Sequence, residues 1–153
     1  MRKIDDNGLL LCKFTSDLFE YSTKAKDCSS KVFIKAYIYS SIQRILSSKA
    51  FLLDSLDIVS AYDTIKSEKK LTQGKDIYPS YVMAWIGYIM KYFSYTTGVS
   101  EVVLYSKVKP EEFYNLYESY HSLDNDLVVK RIAEANDINI NLNDVEIMMK
   151  LSK

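Results

Sequence analysis

The chain has 153 residues, 48% of them hydrophobic and 26% charged, and its twenty basic and twenty acidic side chains cancel to zero net charge. That composition fits one globular domain with its own core, and the balance argues against a nucleic-acid partner held by net charge. Two cysteines, Cys12 and Cys28, are too few for a disulfide framework. The cancellation hides a gradient, +4 over residues 1–50, 0 over 51–100 and −4 over 101–153. Thirteen tyrosines are the unusual feature, because a large ring with a polar tip suits a core margin or a contact surface. The opening MRKIDDNG has acids where a signal peptide would carry an apolar stretch, so a cytoplasmic protein is expected.

In chain order, Asp6 or Asn7 is placed to cap a helix over Leu9–Lys24, with Leu11, Phe14, Leu18 and Tyr21 on one face. Ser29 or Ser30 opens a second, in which Phe33, Tyr37, Ile34, Ile38, Ile42 and Ile45 keep helical spacing. A break is expected near Ser40 and Ser41, and the β-branched start Val32–Tyr39 leaves a strand as the alternative. Ala50–Ile65 reads as an amphipathic third helix carrying Asp54 and Asp57 on one face. Two carboxylates so spaced suit a cation or acid–base chemistry, but with no histidine or third acid beside them they read as a solvated face. From Lys66 to Ile77 the lysines 66, 69, 70 and 75 and Gly74 predict a surface loop.

The stretch Pro79–Gly98, PSYVMAWIGYIMKYFSYTTG, organises the rest. Tyr81, Trp85, Tyr88, Tyr92 and Tyr95 recur in steps of four and three, a stripe along one helix face. Val82, Ile86, Ile89, Phe93, Met83 and Met90 fill other faces, leaving Ser80, Lys91 and Ser94 as the polar positions. A helix apolar on nearly every side is enclosed by neighbours, and its tyrosines and lysine make it a poor membrane span. Pro79 suits its start and Gly98 its end. Ser100 caps a short helix to Ser106, Pro110 opens another with Glu111 and Glu112 in its first turn, and Asp124 caps Asn125–Ala135. Ile138, Ile140 and Leu142 alternate as a short strand would, and Asn143 is placed to cap a last turn or two through Met148 and Leu151. The expected architecture is therefore all-α: a compact single-domain helical bundle, residues 1–135, around the aromatic-rich helix 79–97. A possible short strand near 138–142 belongs to a C-terminal tail, 136–153, that either docks or frays.

Catalytic motifs are absent. The glycines at 8, 74, 87 and 98 form no phosphate loop, and one histidine with two separated cysteines cannot build the usual zinc site or any expected cofactor site. His121, in the turn Tyr120-His121-Ser122-Leu123-Asp124, is the one residue suited to proton transfer near neutral pH. It reads first as the closure of a helix C-terminus. The alternatives to a binding protein are an enzyme of unrecognised type centred on His121 with Asp124 and nearby tyrosines, and a nucleic-acid-binding regulator using the Lys66–Lys75 loop and the basic first third of the chain.

The phrases WIGYIMKYFSYTTG (Trp85–Gly98) and SEVVLYSKVKPEEFYNLYESYHSLD (Ser100–Asp124) resemble a group of small uncharacterised bacterial proteins with a W-I-G-Y-x-Y-R-Y-W helix and a Y-H-T-L-D turn. The resemblance spans about residues 78–135; Lys91 stands where that group often has arginine and Phe93 where it has tryptophan. It brings no catalytic residues. What it implies is an antitoxin or accessory role beside a co-encoded toxin of ADP-ribosyltransferase-like type. On this reading Trp85, Tyr88, Tyr92, Tyr95, Tyr117, Tyr120, His121 and Asp124 are the candidate partner-binding residues, since aromatic anchors dominate interface energy. A homo-oligomer is a further assembly considered. Neither a membrane nor a metal is expected.

Overall fold

Short oxygen-bearing side chains open most of the helices. The computed structural model describes residues 1–48, 56–72 and 74–140, and eight helices lie among them. Asp5 starts α1 (Asp6–Ala25) by accepting from the Gly8 amide at 2.8 Å, and Ser29 starts α2 (Ser30–Ile38). Ser40 caps α3 (Ser41–Ser47) through the Gln43 amide, and Asp57 caps α4 (Ile58–Glu68) through the Ser60 amide at 2.8 Å. The long α5 (Ser80–Thr97) follows Pro79 and ends at Gly98, whose φ of 79° is left-handed, where a Cβ would be strained. Ser100 caps α6 (Glu101–Lys107), Pro110 begins α7 (Pro110–Tyr120), and Asp124 caps α8 (Asn125–Ala135). Each cap satisfies an amide that the first helical turn leaves without a partner.

The all-α bundle around residues 79–97 is therefore present, with several boundaries moved. The α1 cap is Asp5, not Asp6 or Asn7, because Asp5 is also fixed by the Tyr95 hydroxyl, which donates to Oδ1 at 2.6 Å. The β-branched start of α2 is helical, with the expected break at Ser40. Helix α4 begins at 58 and overruns Ile65 to Glu68, since Lys66 pairs with Asp27 at 3.3 Å and Glu68 accepts from the Ser41 amide at 2.9 Å. Asp57 is the α4 cap; Ala50–Ser55, including Phe51, Leu52 and the Asp54 read beside it, lie outside the described residues. Ile138 and Ile140 are irregular and buried against the core, and no strand pairs with them among the described residues. Residues 141–153, with Leu142, Asn143, Met148 and Leu151, also lie outside the described residues.

Packing centres on α1 laid along α5. Gly87 permits the approach: a Cβ there would lie 2.7 Å from the Thr15 carbonyl oxygen and 2.8 Å from Phe19 Cγ. Ser16 fastens the same seam by donating to the Ala84 carbonyl at 2.8 Å. Phe19 meets Phe33 and Tyr37 edge-on at 5.4 and 5.1 Å, and Phe33 stacks on Tyr62 at 5.8 Å. These rings lie fully or almost fully buried, where each contributes a large apolar surface plus a favourable edge geometry. The opposite flank of α5 carries α7 and α8, which sets the helix's remaining aromatics between them and solvent.

Candidate functional site

Two rows of rings meet along the α5–α7 seam. Tyr81 and Trp85 share one face of α5, with Tyr78 just ahead of its N-cap, and Tyr114, Tyr117 and His121 step by three and four along one face of α7 to its cap. Tyr78 meets Tyr114 at 4.5 Å, Tyr81 meets Tyr117 at 5.4 Å, and Trp85 meets Tyr117 edge-on at 5.8 Å. The pairs rise together in residue number, so the two helices run in the same sense along this ladder. Its outer side is open: Tyr81 is 60% and Tyr114 42% exposed, with Trp85 and Tyr117 half-buried.

The near end of the ladder is anchored from behind. The Tyr78 amide donates to Ser30 Oγ at 2.8 Å, while its phenol is buried without a hydrogen-bond partner. Burial, then the charges of Asp76 and Glu111, push that phenol up to about 12. Beside it lies a cavity of about 260 Å³ lined by Lys31, Asp76, Glu111, Tyr114 and Asn115 among others. At the far end His121 lies flat on Tyr117, centroids 4.3 Å apart and planes 8° off parallel. Its Nδ1 is 2.7 Å from the Tyr117 carbonyl oxygen, an acceptor, so Nδ1 carries the hydrogen and closes the last turn of α7. His121 is exposed and lines neither that cavity nor the larger groove described below. Asp124 Oδ1 accepts from the Asp126 amide at 2.9 Å and serves as the α8 cap. Tyr120 is half-buried at the core margin.

The remaining members of the α5 stripe turn away from the ladder. Tyr88 stacks on Tyr92 at 6.3 Å. Tyr92 is only 5% exposed and donates to Asp126 Oδ1 at 2.6 Å, its phenol raised by burial and by that carboxylate. Tyr95 instead clamps the N-terminal segment: its hydroxyl holds Asp5, and the Arg2 guanidinium sits 4.2 Å over its ring while donating to its carbonyl at 2.9 Å. The Tyr95 hydroxyl in turn holds the Asp5 carboxyl below its ordinary value. Tyr95 also borders an open groove of about 1110 Å³ that includes Arg2, Arg44 and Lys91. The dispersal follows from helix geometry, because steps of four and three drift by about 20° per seven residues on a straight α-helix. Over the fourteen residues from Tyr81 to Tyr95 the stripe rotates from α7 towards α8 and the N-terminus. Of the eight candidate residues, the structure thus brings Trp85, Tyr117 and His121 together and seats Tyr88, Tyr92 and Tyr95 elsewhere.

One polar arrangement has no counterpart in the sequence reading. Lys91, one of the few polar positions of the helix, is 3% exposed and its ammonium lies 2.5 Å from Glu101 Oε1, with Glu101 fully enclosed. The Tyr37 hydroxyl donates to the same oxygen at 3.0 Å, while Glu101 Oε2 is buried without a partner. Burial and the Glu101 charge raise the Tyr37 phenol well above its ordinary value. A lone charge inside a nearly all-apolar helix was the available signal, since a lysine is almost never fully buried unless paired. Among the described residues no group of three or more histidine, cysteine or acidic side chains is placed to hold a metal ion, and no helix is long and apolar enough to cross a membrane. No family model, curated protein or solved structure matches the chain.

Proposed function

We propose that this chain is a non-enzymatic binding protein of the cytoplasm, the antitoxin of a co-encoded toxin, which it neutralises by laying the α5–α7 ladder over the toxin's active cleft. The observation that carries the reading is the row Tyr81, Trp85, Tyr117 and His121, rings packed on one another yet open to solvent on their outer side. Tryptophan and tyrosine supply most interface hot spots, and rings already held by their neighbours lose little freedom on binding. The toxin, and its ADP-ribosyltransferase-like type, come from the resemblance of residues 78–135 to toxin-associated proteins.

The test is co-expression with the product of the neighbouring gene. The two proteins are expected to co-purify and growth to be restored. Tyr81→Ala and Tyr117→Ala each weaken the complex by about tenfold or more, the range of an interface hot spot. Ile45→Ala, at an exposed apolar residue off the ladder, leaves binding unchanged. Failure to co-purify, or equal effects of the three variants, would refute the reading.

A further inference from the structure

We infer that the partner surface that covers the ladder is basic, a face rich in arginine and lysine. This rests on the partner-binding reading above and specifies its chemistry. From Pro110 to Asp126 the chain carries Glu111, Glu112, Glu118, Asp124 and Asp126 and not one lysine or arginine. The only charged side chain of α5 is Lys91, which is enclosed with Glu101. The rings are therefore flanked by carboxylates without a compensating cation on either helix. Lys109, just before α7, is turned to the Tyr105 ring at 5.4 Å.

The carboxylates differ in what already holds them. Glu111 pairs with Lys31, Asp124 caps α8, and Asp126 accepts from Tyr92. Glu118 is exposed with no hydrogen bond or ion pair among the described residues, and so is the side chain of Asp76, at the cavity beside Tyr114. The carbonyl end of α7 adds the negative pole of its dipole beside His121 and Tyr117. Open tyrosine and tryptophan faces attract guanidinium and ammonium groups through the ring quadrupole. Rings, unpaired acids and a helix C-terminus thus favour the same sign of partner charge, and they disfavour a polyanion such as RNA.

Two arms test this, and they separate its failure from that of the antitoxin reading. In the first, association of the neighbouring gene's product is timed against salt. Wild-type association slows about tenfold from low to physiological ionic strength, and Glu118→Lys slows it about as much at low salt, because steering acts mainly on the on-rate. If Tyr81→Ala abolishes binding while salt and Glu118→Lys leave the rate unchanged, the ladder is the interface and the basic-partner inference is overturned. In the second arm, which needs no toxin, hexa-arginine and hexa-glutamate peptides are titrated into labelled protein and followed by NMR. Hexa-arginine is expected to shift Tyr81, Trp85, Tyr117 and His121, several-fold more weakly in Glu118→Lys, and hexa-glutamate to leave them in place. Shifts from hexa-glutamate at the ladder, or from hexa-arginine only elsewhere, would overturn the inference. So would a salt-sensitive dimer that buries these rings, since the occupant would then be a second copy.

Discussion

Replacing Lys91 by methionine keeps an unbranched chain in the same space and removes only the ammonium. Glu101, with no exposure at all, would then face the interior as a carboxylate whose one remaining donor is the Tyr37 hydroxyl. Breaking a buried pair from one side costs about 3–5 kcal/mol, because the abandoned charge keeps its full desolvation penalty. For a domain of this size that corresponds to roughly 6–20 °C in Tm, at about 2–4 °C per kcal/mol. Glu101→Gln alone leaves the ammonium stranded and is expected to cost a similar amount. The double variant Lys91→Met with Glu101→Gln holds no buried charge, and glutamine still offers a carbonyl oxygen to Tyr37. It is therefore expected to be more stable than either single variant, by about 2 kcal/mol. Urea unfolding followed by circular dichroism measures all four proteins. A loss below about 1 kcal/mol for Lys91→Met, or a double variant that loses the sum of the two singles, would refute the reasoning.

Three further outcomes follow from the packing. Gly87→Ala gains at most about 1 kcal/mol in helix propensity, yet its Cβ would stand 2.7 Å from the Thr15 carbonyl. Overpacking of about 1–3 kcal/mol makes the variant less stable in the same urea assay, and a more stable protein would show that α1 and α5 can separate freely. Burial pushes the Cys12 thiol up to about 12 and the Cys28 thiol to about 11, so both should resist a thiol reagent at neutral pH in the native protein and react at once in denaturant; prompt native labelling would contradict their burial. The Tyr78 phenol stands near 12 against an ordinary 10.0, and Tyr37 is also raised. Groups raised in the folded state stabilise it fully below pH 10, and that stability is lost as pH climbs through the folded values. Tyrosinate absorbance should therefore rise in two stages, the later one together with loss of helical ellipticity. A single transition near pH 10 with the helices intact would count against the buried network.

Helix starts and stops were readable where a single side chain decides them, as at Ser100, Asp124 and Gly98. They were not readable where a distant residue decides. Asp6 and Asn7 were the candidate caps of α1, yet the cap falls on Asp5, the one that meets Tyr95, ninety positions away. The lysine-rich stretch after Ile65 looks like loop until Asp27 and Ser41 supply partners for Lys66 and Glu68. Ile138 and Ile140 show that alternation records burial at every second residue and does not by itself supply a neighbouring strand. The aromatic stripe was visible as a period, but periodicity cannot say which rings share a surface. That Trp85 meets Tyr117, and that Tyr95 does not join them, depends on where α7 lies and on the slow rotation of the stripe about α5.

The chain has a single tryptophan, and it sits at the half-open rung between Tyr117 and solvent. The protein thus carries its own optical probe at the surface of interest. Indole emission moves to the blue when water leaves its surroundings, while the buried tyrosines below contribute little at those wavelengths. Any molecule that settles on these rings should announce itself in unlabelled protein, and one that docks on the opposite flank should leave the spectrum alone.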